Sequence, residues 1–430
     1  MDIWKVLVLL SLLYAQELTC LSDSGFSSST SLLFVSARLD LPWLAERATA
    51  WNKSTWSLPS AVKAPDMSGW SAIHIAADSE AVEMLSWLLR NGAPVDAETL
   101  GFTHSGRTAL HFAAAKSSDA GPRMVKELLK RGAKAAMATR QGGNTPLHYA
   151  IDGRSVETVE ILLSSSADAN VRNSSGITPL HKAVAIPGLE AVVEALLKGG
   201  ADPNQKTGLS AARKLAAVKD ANDLKQAYYS VTSQTALHIA VKGKDAQRTV
   251  EILLKSGADL NYQDGGGRTP LHAAMVGKDP ECYAKLLIDS GADVNVQDGN
   301  GRTPLLLFLQ AISTTTGKLQ AENQQASQEQ TIDLLLLAGA NPSIEGKDKQ
   351  SPISYAKQAG LGWALERLTP KLKEDNKPKA DEPIVTIEEI AEPEVVSIET
   401  KVKNFLGSQA AAAVGANMLK SRPKWGIPKR

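Results

Sequence analysis

The 430-residue sequence is poor in cysteine, in aromatic side chains and in net charge. Its two cysteines, Cys20 and Cys282, lie far apart in the chain, so disulfide bonds do not explain the fold. Aromatic residues make up 5%, which leaves aliphatic side chains to build most of the core, as in packed helices. The 47 basic and 46 acidic residues give a net charge of +1, which argues against nucleic acid as a partner.

Motifs that would indicate an enzyme, a metal site or a cofactor are also missing from the sequence. It contains no CxxC pair, no HExxH, no GxSxG and no phosphate-binding glycine loop. Histidines, cysteines and carboxylates do not fall at metal-ligand spacing. The sequence therefore predicts no catalytic residue, no metal and no cofactor. Cys282 lies in an apolar helical pattern, which favours a buried structural thiol over a reactive one.

Long hydrophobic runs are scarce. Residues 6–15 form an apolar run interrupted only by Ser11, which is too short to span a bilayer. This run fits the central region of a secretory signal peptide. We expect a signal peptide over residues 1–22, a Ser-rich linker over 23–30, and a secreted or periplasmic protein. The alternative is a cytoplasmic protein whose first apolar helix packs on the following segment.

The sequence is rich in one recurring tetrapeptide, a variant of Thr-Pro-Leu-His. Six of the seven histidines belong to copies of this tetrapeptide, at intervals of 37, 37, 33, 57 and 34 residues: His74, His111, His148, His181, His238 and His272. Two further copies, at residues 303–306 and 351–354, lack the histidine, so the tetrapeptide occurs eight times in all.

Each part of the repeated pattern has a physical role. The Thr hydroxyl can cap a first helix, and Pro is tolerated at the first helical position because no amide donor is needed there. A second helix carries Leu-Leu pairs and ends at Gly, as at Gly199. Glycine-rich segments such as residues 264–267 are typical of turns.

This pattern resembles the ankyrin repeat. The resemblance implies an all-α solenoid, a stack of helix-turn-helix units with hairpin-like tips. We place the array at residues 31–369, with a degenerate N-terminal cap and seven to eight repeats. An extra helix is expected near residues 207–232 and a polar, Gln-rich loop near 314–330. Residues 370–430 are predicted to form a disordered, charged tail that contains an Ala-rich helix.

This organisation separates residues that hold the repeats together from residues that can contact a partner. The anchor histidines recur once per repeat, so we interpret them as hydrogen-bonding residues that tie one unit to the next. In ankyrin-repeat proteins, partners lie across the tips and the exposed side of the first helices. By register, the corresponding candidates lean basic, which favours an acidic partner: Arg107, Lys116, Asn144, Asp152, Ile177, Gln234, Lys242, Arg268, Val276 and Arg302.

Two functional hypotheses remain open at this stage. One is an exported scaffold that binds another protein on the concave face of the array. The other is an intracellular regulatory subunit or effector that selects a target with its repeats and recruits through its tail. The last thirty residues hold seven basic and no acidic side chains, so weak contact of the tail with anionic surfaces is a further expectation.

Overall fold

The computed structural model describes residues 28–51, 62–66, 68–100, 105–208, 233–315 and 322–369. Within these ranges the chain forms nine consecutive pairs of helices and no β-strand. The pairs are α1 (Ser28–Leu39) and α2 (Pro42–Trp51), α3 (Ala72–Asp78) and α4 (Val82–Arg90), α5 (Ala109–Ala114) and α6 (Ala120–Lys130), α7 (Pro146–Asp152) and α8 (Val156–Ser164), α9 (Pro179–Val184) and α10 (Glu190–Lys198), α11 (Ala236–Ala240) and α12 (Gln247–Lys255), α13 (Pro270–Met275) and α14 (Pro280–Asp289), α15 (Pro304–Thr315) and α16 (Glu322–Leu337), α17 (Pro352–Gln358) and α18 (Gly362–Leu368).

The core runs along the stack through equivalent positions of successive repeats. The leucine or isoleucine before each anchor histidine is buried, as at Leu147 and Leu271, and so is a leucine of each second helix from α4 onward, as at Leu162 and Leu253. Small residues such as Ala150 are also fully buried in the first helices, which lets neighbouring first helices approach closely. Each repeat therefore buries its apolar face against the repeats on either side, as the repeat pattern predicts.

The first helix pair closes the N-terminal end of the stack. Ala37 and Ala45 are fully buried, and α1 packs on α3 and α4. The Asp40 carboxylate accepts a hydrogen bond of 2.7 Å from the backbone N–H of Met84, at the start of α4. These helices form a terminal repeat without the Thr-Pro signal, and α1 begins at Ser28, inside the stretch expected to be a linker.

Repeats on the two sides of residues 209–232 stack directly on each other. The Thr207 N–H donates to the carbonyl of Gln234 at 2.8 Å, and the Gln234 N–H donates to the Thr207 hydroxyl at 3.0 Å. Farther from the tip, Asn204 Nδ2 donates to the Gly257 carbonyl at 3.0 Å. The 57-residue interval between two anchor histidines therefore leaves the stacking of these repeats intact.

The expected Gln-rich loop over residues 314–330 is wrong over most of its length. Helix α15 runs to Thr315, and α16 starts at Glu322 and includes the polar segment. Glu, Gln and Ala are good helix formers, and the buried Ile332 and Leu335 fix this helix to the stack. High polarity is typical of a loop, but here it belongs to the first half of a long second helix, α16.

Several predicted segments lie outside the described residues. They are the signal peptide over residues 1–22, the tail over 370–430 with its Ala-rich helix, and all but the first two residues of the extra helix expected near 207–232.

Candidate functional site

The anchor histidines connect each first-helix cap to the loop that leads into the next repeat. In the fourth copy the Thr178 hydroxyl lies 2.7 Å from His181 Nδ1, and the His181 N–H donates to that hydroxyl at 3.3 Å. The Thr178 N–H also donates to Nδ1, so Nδ1 is an acceptor and the proton resides on Nε2. Nε2 then donates to the Gln234 carbonyl at 3.0 Å. The other five histidines make the same contact with a carbonyl at 2.8–3.0 Å.

Burial keeps these imidazole rings neutral. It lowers the pKa of His74, His111, His148, His181 and His238 from 6.5 to about 4, although hydrogen bonds to carbonyls act in the opposite direction. The pKa of His272 is also lowered by burial. Both ring nitrogens are engaged in fixed contacts, so none of the six is placed as a general base.

The tips are closed by side chains that accept two backbone hydrogen bonds. Asp298 Oδ1 accepts from the N–H groups of Asn300 and Arg302, both at 2.9 Å, and Asn173 Oδ1 accepts from the equivalent groups of another tip. Consecutive tips also bond to each other, since the Gly208 N–H donates to the Gly176 carbonyl at 2.7 Å. These two neighbouring tips are thus joined directly through their backbones.

This close approach gives a stability prediction for Gly176. Its φ is 72°, and a Cβ there would lie 2.5 Å from Gly208 Cα, whereas Gly257, with φ of 83°, has open space around it. We expect Gly257→Ala to lower the free energy of unfolding by about 1 kcal/mol through backbone strain alone. Gly176→Ala should lower it by about 3 kcal/mol or more because the tips must also separate. Urea denaturation of both variants checks this, and equal losses would show that the tip contact contributes nothing.

The ten candidate contact residues fall into two rows on the first-helix side of the stack. One row immediately precedes the caps; its members are Arg107, Asn144, Ile177, Gln234, Arg268 and Arg302. The other lies at the ends of the first helices; its members are Lys116, Asp152, Lys242 and Val276. Between them lies the residue that follows each anchor histidine, as in Ile75, Phe112, Tyr149, Lys182 and Ile239. We call these three rows, together with Trp70 before the Ser71 cap, the first-helix strip.

Two expectations about the strip are corrected by the structure. Gln234 is only 8% exposed, because its backbone is fixed by Thr207 and His181. Lys242, Arg268 and Arg302 are half-buried rather than exposed. Arg302 donates to Asp298 Oδ2 from Nε at 3.0 Å and from Nη2 at 2.8 Å.

Asp298 is a buried charge centre between two tips. Its side chain is 1% exposed, and Arg268 Nε lies 4.0 Å from the same oxygen that accepts from Arg302. Burial opposes ionisation of this carboxyl, but the hydrogen bonds from Arg302 outweigh burial and lower its pKa. Both arginines are thus partly neutralised within the stack.

Two lysines of the strip pair with acidic residues of the preceding repeat. Lys116 Nζ lies 2.9 Å from Asp78 Oδ1, and Lys182 Nζ lies 2.8 Å from Asp152 Oδ2. Lys182 Nζ also donates to the His148 carbonyl at 2.9 Å. These partly buried pairs join neighbouring first helices, so the charges of Lys116, Asp152 and Lys182 are already balanced within the array.

The strip also contains an aromatic group that was not predicted from the sequence. The Trp70 and Phe112 ring centroids are 4.6 Å apart. Arg107 Cζ lies 4.8 Å from the centre of the Tyr149 ring and 5.7 Å from that of Phe112. Lys182 Nζ lies 5.9 Å from the Tyr149 ring. We call Trp70, Arg107, Phe112, Tyr149 and Lys182 the aromatic–cation cluster. Its sequence signal was a bulky residue directly after the histidine in consecutive copies.

Cys282 does not lie in the core, so the prediction of a buried thiol is wrong. It is half-exposed on α14, with Sγ 3.8 Å from Gln247 Oε1, because the inward positions of this helix are occupied by Tyr283, Ala284 and Leu287. Partial burial and the nearby Asp279 raise its pKa, which disfavours the reactive thiolate.

The described residues contain no group of three or more His, Cys, Asp and Glu side chains arranged to hold a metal ion. Among the helices that the structure describes, none has both the length and the apolar character needed to cross a membrane.

Paired helices, bonded tips and an inter-repeat histidine network define this chain as an all-α repeat solenoid. The sequence pattern of the family described as "Ankyrin repeats (3 copies)" matches residues 52–136, 114–207 and 237–311, together more than half of the chain. The protein belongs to the ankyrin-repeat family. Ankyrin repeats are protein–protein interaction modules, so the class of partner is another protein.

Curated relatives share parts of this array. The chain is 31% identical over 141 residues to the B-cell lymphoma 3 protein homolog of Mus musculus, covering 33% of this chain and 31% of that protein. It is 27% identical over 238 residues to an ankyrin repeat protein of Rickettsia felis, covering 47% and 61%. With Neurogenic locus notch homolog protein 1 of Xenopus laevis it shares 32% identity over 162 residues, covering 35% and 6%. The chain spans less than two thirds of the length of each of these relatives.

Proposed function

We propose that this protein is a non-enzymatic scaffold that holds another protein along the first-helix strip, on the concave face of the array. One observation carries the proposal: two kinds of position alternate in the six repeats that contain an anchor histidine. The cap, the histidine and the leucine before it recur with little change and hold the stack. Strip positions differ between copies, as in Arg107, Asn144 and Ile177, and lie in register from repeat to repeat. Variable side chains in a fixed row are suited to contact a partner.

Charge supports an acidic partner. The lysines at 116 and 182 are balanced by aspartates, and Arg302 by Asp298. Arg107 and Lys242 have no ion pair with any described residue, so they add positive charge to the strip. Such a surface speeds encounter with a negatively charged protein and selects against a positively charged one.

The proposal is tested by reversing charge on the strip and on the opposite side. The strip variant carries Arg107→Glu and Lys242→Glu; the control carries Arg123→Glu and Lys255→Glu, at exposed second-helix positions, and has the same net charge. We expect the strip variant to lose partner capture in pull-downs quantified by mass spectrometry, more strongly at low than at high salt. The control should capture like wild type. Equal capture by both variants would rule out the strip.

Deletion of the tail distinguishes this proposal from its alternative, in which the protein is an intracellular regulatory subunit or effector that recruits through residues 370–430. Deleting those residues should reduce capture less than the strip variant does. If the deletion abolishes capture and the strip variant does not, the tail is the functional element.

We further propose that the protein is exported and that residues 1–22 are removed. The basis is the short apolar run over residues 6–15, which is typical of a signal peptide. N-terminal sequencing of the native protein should then begin between Gln16 and Gly25. Retention of Met1 on the mature protein would favour the intracellular alternative.

A further inference from the structure

Arg107 differs from the other arginines of the strip in how its charge is held. Arg107 is half-buried, and its guanidinium forms no ion pair or hydrogen bond with any residue that the structure describes. Arg302, by contrast, donates two hydrogen bonds to Asp298 and one to Gln310. Arg107 instead rests against the rings of Tyr149 and Phe112. Its position is therefore fixed by aromatic contacts that leave its donors for a ligand.

The surroundings of Arg107 define what the ligand must offer. The Tyr149 ring beneath Arg107 is half-buried, so an apolar group beside the anion has surface to contact there. Lys182 is the nearest other cation of the cluster, but it is already bonded to Asp152. The site thus provides one planar guanidinium group with a single positive charge, and the Asp152 carboxylate lies nearby.

This charge pattern selects among anions. A carboxylate carries one negative charge and fits a guanidinium through two parallel hydrogen bonds. A phosphate group carries close to two negative charges and is usually held by several cations. At this cluster a phosphate would meet one unpaired cation and the nearby Asp152 carboxylate. The arrangement matches a carboxylate better than a phosphate.

We propose that the aromatic–cation cluster binds an acidic linear segment of the partner protein. Arg107 takes the carboxylate of an Asp or Glu, and the ring of Tyr149 takes an adjacent aromatic or large aliphatic side chain. The inference rests on the proposed function, since it locates the main anchor of the partner within the first-helix strip.

The test uses the full chain and a displayed library of random twelve-residue peptides. Selection should enrich peptides in which Asp or Glu stands beside an aromatic or large aliphatic residue. A synthetic peptide of the enriched sequence is then measured by fluorescence anisotropy. We expect Arg107→Gln to weaken its binding about tenfold or more, with only a small loss of melting temperature, because the guanidinium contacts rings of the stack but has no hydrogen-bonding partner there. Arg123→Gln, at an exposed second-helix position away from the strip, is the matched control and should leave peptide binding unchanged.

A double-mutant cycle assigns the contact. Replacing the peptide's Asp or Glu by the corresponding amide should weaken binding to wild type, but should change little for Arg107→Gln, because the interaction is already lost. Additive effects would overturn the assignment, and so would enrichment of peptides without acidic residues, no enrichment at all, or tighter binding of a phosphoserine version. If Arg107→Gln leaves peptide binding unchanged but Val276→Asp abolishes it, the peptide binds on the strip but not at the aromatic–cation cluster. If neither substitution changes peptide binding, the proposed function is contradicted as well.

Discussion

Acidification from pH 6.5 to 4 is expected to unfold the array. Five anchor histidines have a pKa of about 4 when buried, against 6.5 for the free ring, so the unfolded chain binds more protons throughout this window. Stability is therefore unaffected by these groups above pH 6.5 and falls as the pH drops below it. Each ring contributes a loss of at most about 3 kcal/mol by pH 4. The sum approaches or exceeds the roughly 5–15 kcal/mol that stabilises a typical domain.

The measurement is the free energy of unfolding in urea at half-unit steps of pH. The Thr303 repeat has Leu306 in place of the histidine, so His148→Leu provides a variant with one titrating ring fewer. Its stability should fall less steeply with acid than that of wild type. A wild-type stability that stays constant from pH 6.5 to 4.5 would contradict the buried, neutral histidine network.

Reversing the charge of Arg302 should destabilise the protein strongly. Arg302→Glu removes two hydrogen bonds from Asp298 and sets a second carboxylate against a side chain that is 1% exposed. Breaking a buried pair in this way costs about 3–5 kcal/mol. The loss should appear in urea denaturation at pH 7, so a binding defect of this variant would report unfolding rather than a lost contact.

The chain itself supplies the control for this prediction. At the equivalent tip Asn173 stands where Asp298 does, Ile177 stands where Arg302 does, and Asn173 Oδ1 still accepts from two backbone N–H groups. The double change Asp298→Asn with Arg302→Ile reproduces that tip and should recover most of the lost stability. If Arg302→Glu is as stable as wild type, or if the double variant is no better, the account of the Asp298 site is wrong.

Features that depend on local chemistry were predictable from the sequence. The cap threonines, the buried leucines and the recurring histidines each have a role set within one repeat, and repetition makes the pattern visible. The family and its all-α solenoid follow from that pattern and are confirmed by the match to the ankyrin-repeat family.

Features that depend on contacts between repeats were not predictable in the same way. The exposure of Arg302 was misjudged because Asp298, four residues earlier, folds back beneath it in the tip turn. The Gln-rich segment was misjudged because its polar half is held by distant residues, as when Ser327 donates to Glu281 at 2.6 Å. Arg107 is a candidate by its register in the repeat, whereas its aromatic surroundings depend on Tyr149 of the next repeat.

The measurement that tests the central claim most directly is site-specific photo-crosslinking to the bound partner. A photoreactive amino acid is placed at Asn144 or Val276 on the strip, and at Arg123 or Lys255 on the exposed second-helix side. Val276 is 46% exposed, so its replacement should not disturb the fold. We predict that the same partner protein is crosslinked from both strip positions and from neither second-helix position. Crosslinking from Arg123 or Lys255, with none from the strip, would contradict the proposal that this ankyrin array binds its partner along the first helices.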